Sequence, residues 1–279
     1  MSRNYLPGTQ IEIINEFERG KIKYGLFDFD GTISLLREGW QDIMHPVCVE
    51  MICGPTAPTP AIEEAVRNMI DETTGIQTIL QMERLVEMVR EHGFVAEADM
   101  LDSQGYKKVY LDRLMVPVRE RLARLASGEL PRDKAIVTGS VDFLDIISKH
   151  EGLELYVFSG TDRDDVRNEA NKLGVDHYFI EIWGALRTFA EYSKEQIIND
   201  LVARHNLKGP EVLAVGDGPV ELRNVKAVGG IALGIASDEK KGFGLDEEKR
   251  TRLIKAGADI IVPDFTEAKA LAEYLFPRS

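Results

Sequence analysis

Two short acidic motifs in the sequence have the residue types and spacing for chemistry. The first is Asp28-Phe29-Asp30-Gly31-Thr32, which follows the apolar run Tyr24-Gly25-Leu26-Phe27. If that run is a strand, alternation puts Asp28 and Asp30 on the same side of the chain, at its carboxyl end. Two carboxylates this close repel each other unless a cation joins them or one is protonated. The second is Val215-Gly216-Asp217-Gly218-Pro219-Val220-Glu221. It nearly matches the dinucleotide fingerprint G-x-G-x-x-G, but Glu221 replaces the last glycine, where a pyrophosphate needs neutral backbone. The fingerprint is therefore rejected. Asp217 and Glu221 read instead as an acidic pair, with Pro219 opening the next helix. Carboxylates at two strand ends make a hard-oxygen site suited to Mg²⁺, which takes few protein ligands and shares its shell with water and phosphate.

Two less acidic motifs could serve the same site. The run Leu155-Tyr156-Val157-Phe158 leads into Ser159-Gly160-Thr161, offering a hydroxyl at Ser159 and a backbone N–H at Gly160. Thr161 with Asp164 also reads as a capping box, a purely structural use. Ser193-Lys194-Glu195-Gln196 places Ser193 at an N-cap and Lys194 at the first helical position. A cation there opposes the helix dipole, unless its ammonium faces an anion that the helix end also attracts.

The elements around these motifs predict an α/β fold. Buried strands are expected at 24–27, 153–158, 177–182, 211–215, 230–235 and 259–262. Helical periodicity lies between most of them, at 164–173, 194–205 and 220–228. This alternation predicts a Rossmann-like parallel sheet with helices on both faces. In such sheets functional residues collect at the carboxyl ends of strands. Residues 33–130 break the pattern with helices only, expected at 40–53, 60–71, 76–92 and 98–126. The chain thus reads as a core of 1–32 and 131–279 with an inserted all-helical domain, 33–130.

In order and spacing, the four motifs resemble those of the haloacid dehalogenase-like superfamily, across the whole α/β part. The resemblance implies that Asp28 is a nucleophile attacking phosphorus, and that Asp30 is the general acid and base. It further implies that Ser159, Gly160 and Lys194 bind the phosphoryl group. Asp28, Asp30 through its backbone carbonyl, and Asp217 would hold Mg²⁺. Glu221 stands where the family usually has Asp, which leaves its metal contact direct or through water. In that superfamily phosphatases and phosphomutases carry an acid two residues after the nucleophile, and dehalogenases do not. The expected activity is hydrolysis of a small phosphate monoester, such as a sugar phosphate, phosphoglycolate or a nucleoside monophosphate. A phosphomutase and a non-catalytic phospho-ligand sensor are the alternatives.

The family's insertions after the first motif form caps over the active site, so the substrate contacts are sought in or beside 33–130. Arg37 and Trp40, just past the first motif, are the first candidates. Gln77, in the turn Thr74-Gly75-Ile76-Gln77, could bond hydroxyls, and Arg187 precedes Lys194. Tyr106-Lys107-Lys108 reads as a solvated helix face. Residues 33–130 carry 10 Lys/Arg and 16 Asp/Glu, a net charge of −6.

The whole chain of 279 residues has a formal charge of −13, which disfavours nucleic acid and anionic membrane surfaces as partners. Cys48 and Cys53 form neither a zinc spacing nor a disulfide framework. No apolar run reaches the ~20 residues of a bilayer span, and the opening MSRNYLPGTQ lacks an apolar signal region. A cytoplasmic enzyme, monomeric or homodimeric, is expected.

Overall fold

The computed structural model describes residues 3–186, 193–239, 241 and 243–277. Seven strands form one sheet: β1 (Glu12–Ile13), β2 (Tyr24–Phe27), β3 (Glu154–Asp162), β4 (Glu181–Ala185), β5 (Val212–Gly216), β6 (Ile231–Ile235) and β7 (Ile260–Val262). Their order is β1-β7-β6-β5-β2-β3-β4. Every pairing is parallel except that of β1 with β7, where a two-residue strand adds an antiparallel edge too short to leave a sequence pattern.

Both faces of the sheet are covered, which is why β2, β5, β6 and β7 are buried along their whole length. Phe27, Val157 and Val215 enter one buried cluster, and their neighbours Leu26, Tyr156 and Ala214 enter the other. Around the sheet lie α5 (Ser140–Ile147), α6 (Arg163–Leu173), α7 (Lys194–His205), α8 (Pro219–Ala227), α9 (Glu247–Lys255) and α10 (Ala268–Leu275).

Within 33–130 are α1 (Trp40–Cys53), α2 (Pro60–Thr73), α3 (Thr78–His92) and α4 (Ser103–Ser127). They share a third cluster, including Met44, Val66, Leu85, Val89, Tyr110 and Val118, with both free cysteines buried in it.

Three expectations need correction. The run at 177–182 is not a strand: Asp176–Tyr178 is a 3₁₀ turn, and β4 begins at Glu181. Phe179 supplied apolar signal there because it packs edge-on to Phe27, with ring centroids 6.1 Å apart. The helix expected from 98 starts at Ser103, where Asp102 caps it by accepting from Gly105 N. Finally, Tyr106 and Lys107 are not solvated. Both are buried, and Lys107 is ion-paired to Asp162 at the end of β3.

Candidate active site

Strand register alone brings three of the four motifs together. Phe27 on β2 is level with Val157 on β3 and with Val215 on β5. Asp28 and Asp217 therefore emerge just past the ends of β2 and β5, beside Ser159 on β3. The Asp28 N–H donates to the Val215 carbonyl at 2.8 Å, extending the pairing to the site itself. Gly31 makes the tight exit at φ +73°, and a Cβ there would lie 2.3 Å from Asp217 Oδ2. Only glycine fits that position.

Lys194 completes the set. Ser193 caps α7 by accepting from Gln196 N at 3.1 Å, and Lys194 follows as the first helical residue, as expected. Its ammonium lies 2.9 Å from Asp28 Oδ2 and 3.1 Å from Glu221 Oε2. Glu221 is fully buried and also accepts from Gly218 N at 2.9 Å, closing the first turn of α8. The two carboxylates raise the Lys194 pKa despite the burial that opposes it.

Asp30 is held differently. The capping role considered for Thr161 is not realised: α6 starts at Arg163, and Thr161 Oγ1 donates to Asp30 Oδ2 at 2.7 Å. Ser159 Oγ accepts from Thr161 N at 3.0 Å, so the second motif is internally braced. Asp30 Oδ1 is buried without a hydrogen bond, and Arg37 Nε lies 3.9 Å from it.

Acidic groups crowd the centre. Ligand oxygens of Asp28, Asp217 and Glu221 all lie within 4.8 Å of one another, and all three residues are buried. Burial, with the neighbouring carboxylates adding to it, holds the Asp28 carboxyl well above its ordinary range against the pull of Lys194. The same effects push Asp217 up to about 6, against Lys249. A compact, crowded, all-oxygen donor set fits a hard divalent cation, and Mg²⁺ belongs to that class.

Above these groups is a small cavity of about 70 Å³. The strand ends contribute Asp28, Asp30, Ser159, Gly160, Thr161 and Asp217 to its wall. The helical segment and its approach contribute Arg37, Trp40, Thr74, Gly75, Ile76, Thr78, Gln81, Tyr110 and Leu114. The turn at 74–76 sits close: a Cβ on Gly160 would be 2.3 Å from the Ile76 carbonyl oxygen.

Of the expected substrate residues, Arg37 and Trp40 do line the cavity. Arg37 is also committed elsewhere, its guanidinium 2.6 Å from the buried Glu169. Gln77 is buried but absent from the cavity wall; Gln81, one helical turn on, takes that place. Arg187 lies outside the described residues. The sequence reading missed Gln81 and Tyr110, which carry no motif, and Lys249, which contacts Asp217, and it gave Thr161 only a capping role.

Comparison with known proteins identifies the fold and the family. No curated protein matches the chain. Several solved structures share its fold. A predicted phosphoglycolate phosphatase from Haemophilus somnus 129pt superposes with a TM-score of 0.58 at 16% identity, over 90% of this chain and 98% of that one. A β-phosphoglucomutase from Clostridium difficile gives 0.57 at 14% identity, over 91% and 97%. CbbY from Rhodobacter sphaeroides, solved with phosphate, gives 0.53 at 19% identity, over 88% and 96%. The model of the haloacid dehalogenase-like hydrolases matches residues 22–229, a stretch that contains all four motifs and the helical segment. On that match the chain belongs to the haloacid dehalogenase-like hydrolase family.

Proposed function

We propose that the protein is a Mg²⁺-dependent phosphatase that hydrolyses a small phosphate monoester through an aspartyl-phosphate. The observation that carries this reading is the pairing of roles at one strand end. Asp28 Oδ2 meets the Lys194 ammonium, while Asp30 is turned aside by Thr161 and kept near the cavity.

An Asp28 oxygen attacks phosphorus, forming an acyl-phosphate bond as the bond from phosphorus to the ester oxygen breaks. Asp30 gives its proton to that leaving oxygen, then takes one from a water that attacks the same phosphorus. Inorganic phosphate leaves and Asp28 is restored. Lys194, the Ser159 hydroxyl and the Gly160 N–H face the phosphoryl oxygens, where negative charge spreads in the transition state. Asp28, Asp217 and the Asp30 carbonyl would hold Mg²⁺, with Glu221 beside them, and bound Mg²⁺ supplies Lewis-acid neutralisation of phosphoryl charge. We assign 33–130 as a cap over the core formed by 1–32 and 131–279. Closure by the turn at 74–76 excludes water and makes every charge contact inside stronger. The tight cavity favours a small metabolite over a phosphoprotein.

The likeness to a β-phosphoglucomutase supports a second reading, in which the aspartyl-phosphate passes to a sugar hydroxyl instead of water. Phosphate release across a panel of monoesters, with Mg²⁺ and with chelator, separates the two. Release that requires Mg²⁺ and is abolished by Asp28→Asn is the expected result. Turnover only after priming by a bisphosphate, without free phosphate, would replace phosphatase by mutase.

A further inference from the structure

Lys194 has a counterpart that none of the four motifs contains. Lys249 lies in the first turn of α9, whose N-cap Asp246 accepts from both Glu248 N and Lys249 N at 2.9 Å. A cation in that turn faces the positive end of the helix dipole, and its burial adds a desolvation cost. Both penalties require compensating anions. Lys249 is only 6% exposed, and its Nζ lies 2.6 Å from Glu239 Oε1 and 3.1 Å from Asp217 Oδ2. Lys194 solves the same problem in the same way, in the first turn of α7 between Asp28 and Glu221. Two buried lysines thus enter the acidic centre from two helix starts, each bridging two carboxylates.

We propose that Lys249 is a positioning residue for the metal site, an inference that rests on Asp217 being a ligand. The ammonium holds Oδ2 of Asp217 on one side. Gly31 lies beside the same carboxylate and leaves no room for a side chain between them, since a Cβ there would be 2.3 Å from Oδ2. With Oδ2 held, Oδ1 is the oxygen offered to the cation. The link to Glu239 ties this geometry to the segment that follows β6. Partners that orient a ligand in this way commonly govern 10–100-fold of metal affinity.

The test is Mg²⁺ binding by titration calorimetry on chelator-treated, full-length protein, comparing wild type with Lys249→Met, Lys249→Gln, Lys249→Arg and Asp217→Asn. Melting in chelator verifies that each variant is folded. Lys249→Met should bind Mg²⁺ about 10–100-fold more weakly, and Lys249→Arg should recover most of that loss. Lys249→Gln keeps a donor and a similar volume without the charge, and should show the same loss should the methionine variant fail to fold. Equal or tighter binding by a folded Met or Gln variant overturns the proposal, because the lysine then only balances charge. Asp217→Asn keeps the two ideas apart. Loss of binding in that variant beside full binding in Lys249→Met overturns the positioning role alone, whereas unchanged binding in Asp217→Asn overturns both.

Discussion

The Thr161 hydroxyl donates to Asp30 Oδ2 at 2.7 Å, so the end of one strand fixes the carboxyl at the end of its neighbour. In the proposed mechanism Asp30 would carry its transferred proton on Oδ1, the buried oxygen without a hydrogen bond, because Oδ2 already accepts from Thr161. Thr161→Val keeps the shape and removes the donor. It should slow hydrolysis of alkyl phosphates about tenfold, a fraction of the 10²–10⁴ that a general acid contributes. Aryl phosphates, whose leaving groups need little protonation, should lose much less. Thr161→Ser should restore both rates. Equal losses on both substrate classes would show that Thr161 supports the fold and not the proton transfer.

A second prediction concerns metal and pH together. Asp217 is pushed up to about 6 in the folded, metal-free protein, from an ordinary value of 3.8. The folded state therefore binds more protons than the unfolded chain between those values. Asp217 makes the stability of the metal-free protein fall as pH rises from about 4 to about 6, and the raised carboxyls of Asp28 and Glu169 extend that fall above the window. A bound cation offsets the crowding of Asp28, Asp217 and Glu221, so saturating Mg²⁺ should flatten this slope. Melting temperature against pH, in chelator and in Mg²⁺, measures it. Parallel curves in the two conditions would mean that Asp217 does not meet the cation.

Much of this site was legible from sequence because its parts are local. Asp28, Asp30 and Asp217 sit at strand ends marked by apolar runs and glycines, and Lys194 stood out as a cation at a helix start. The same signal was present at Lys249, behind Asp246 as N-cap, but its partner Asp217 is 32 residues away and no spacing rule joins them. Thr161 was misread for a related reason. Its capping pattern with Asp164 was plausible, yet β3 continues through Asp162 and turns the hydroxyl toward Asp30 instead. Lys107 looked solvated because its partner Asp162 lies 55 residues on. Long-range pairing, rather than local propensity, decided each of these.

Arg37 was expected to touch substrate, and its surroundings predict a structural role as well. Its guanidinium forms a pair with Glu169, which is 1% exposed, through Nε and Nη2. Removing one member of a buried pair strands the other, at a cost of about 3–5 kcal/mol. Arg37→Met should lose that much in urea unfolding, and Arg37→Met with Glu169→Met should recover most of it. Activity of the stable double variant then isolates the substrate role. Full activity there would remove Arg37 from the substrate contacts.

The last prediction separates two glutamines four residues apart. Gln77 precedes α3 and is buried without lining the cavity, whereas Gln81 lies on its wall. Gln81 Nε2 donates to Thr73 Oγ1 at 3.2 Å, which orients the amide beside the turn at 74–76. An oriented amide on a small cavity selects substrates that carry a hydroxyl, since a site built to hydrogen-bond leaves its own groups unpaired with any other ligand. Gln81→Ala should therefore lower kcat/KM about 10–100-fold for hydroxylated phosphate esters, a loss of roughly 1.4–2.7 kcal/mol, and far less for their deoxy analogues. Gln77→Ala should change stability without changing the ratio between the two substrate classes. Should Gln77→Ala shift that ratio while Gln81→Ala leaves it untouched, specificity would belong to the turn and not to the face of α3.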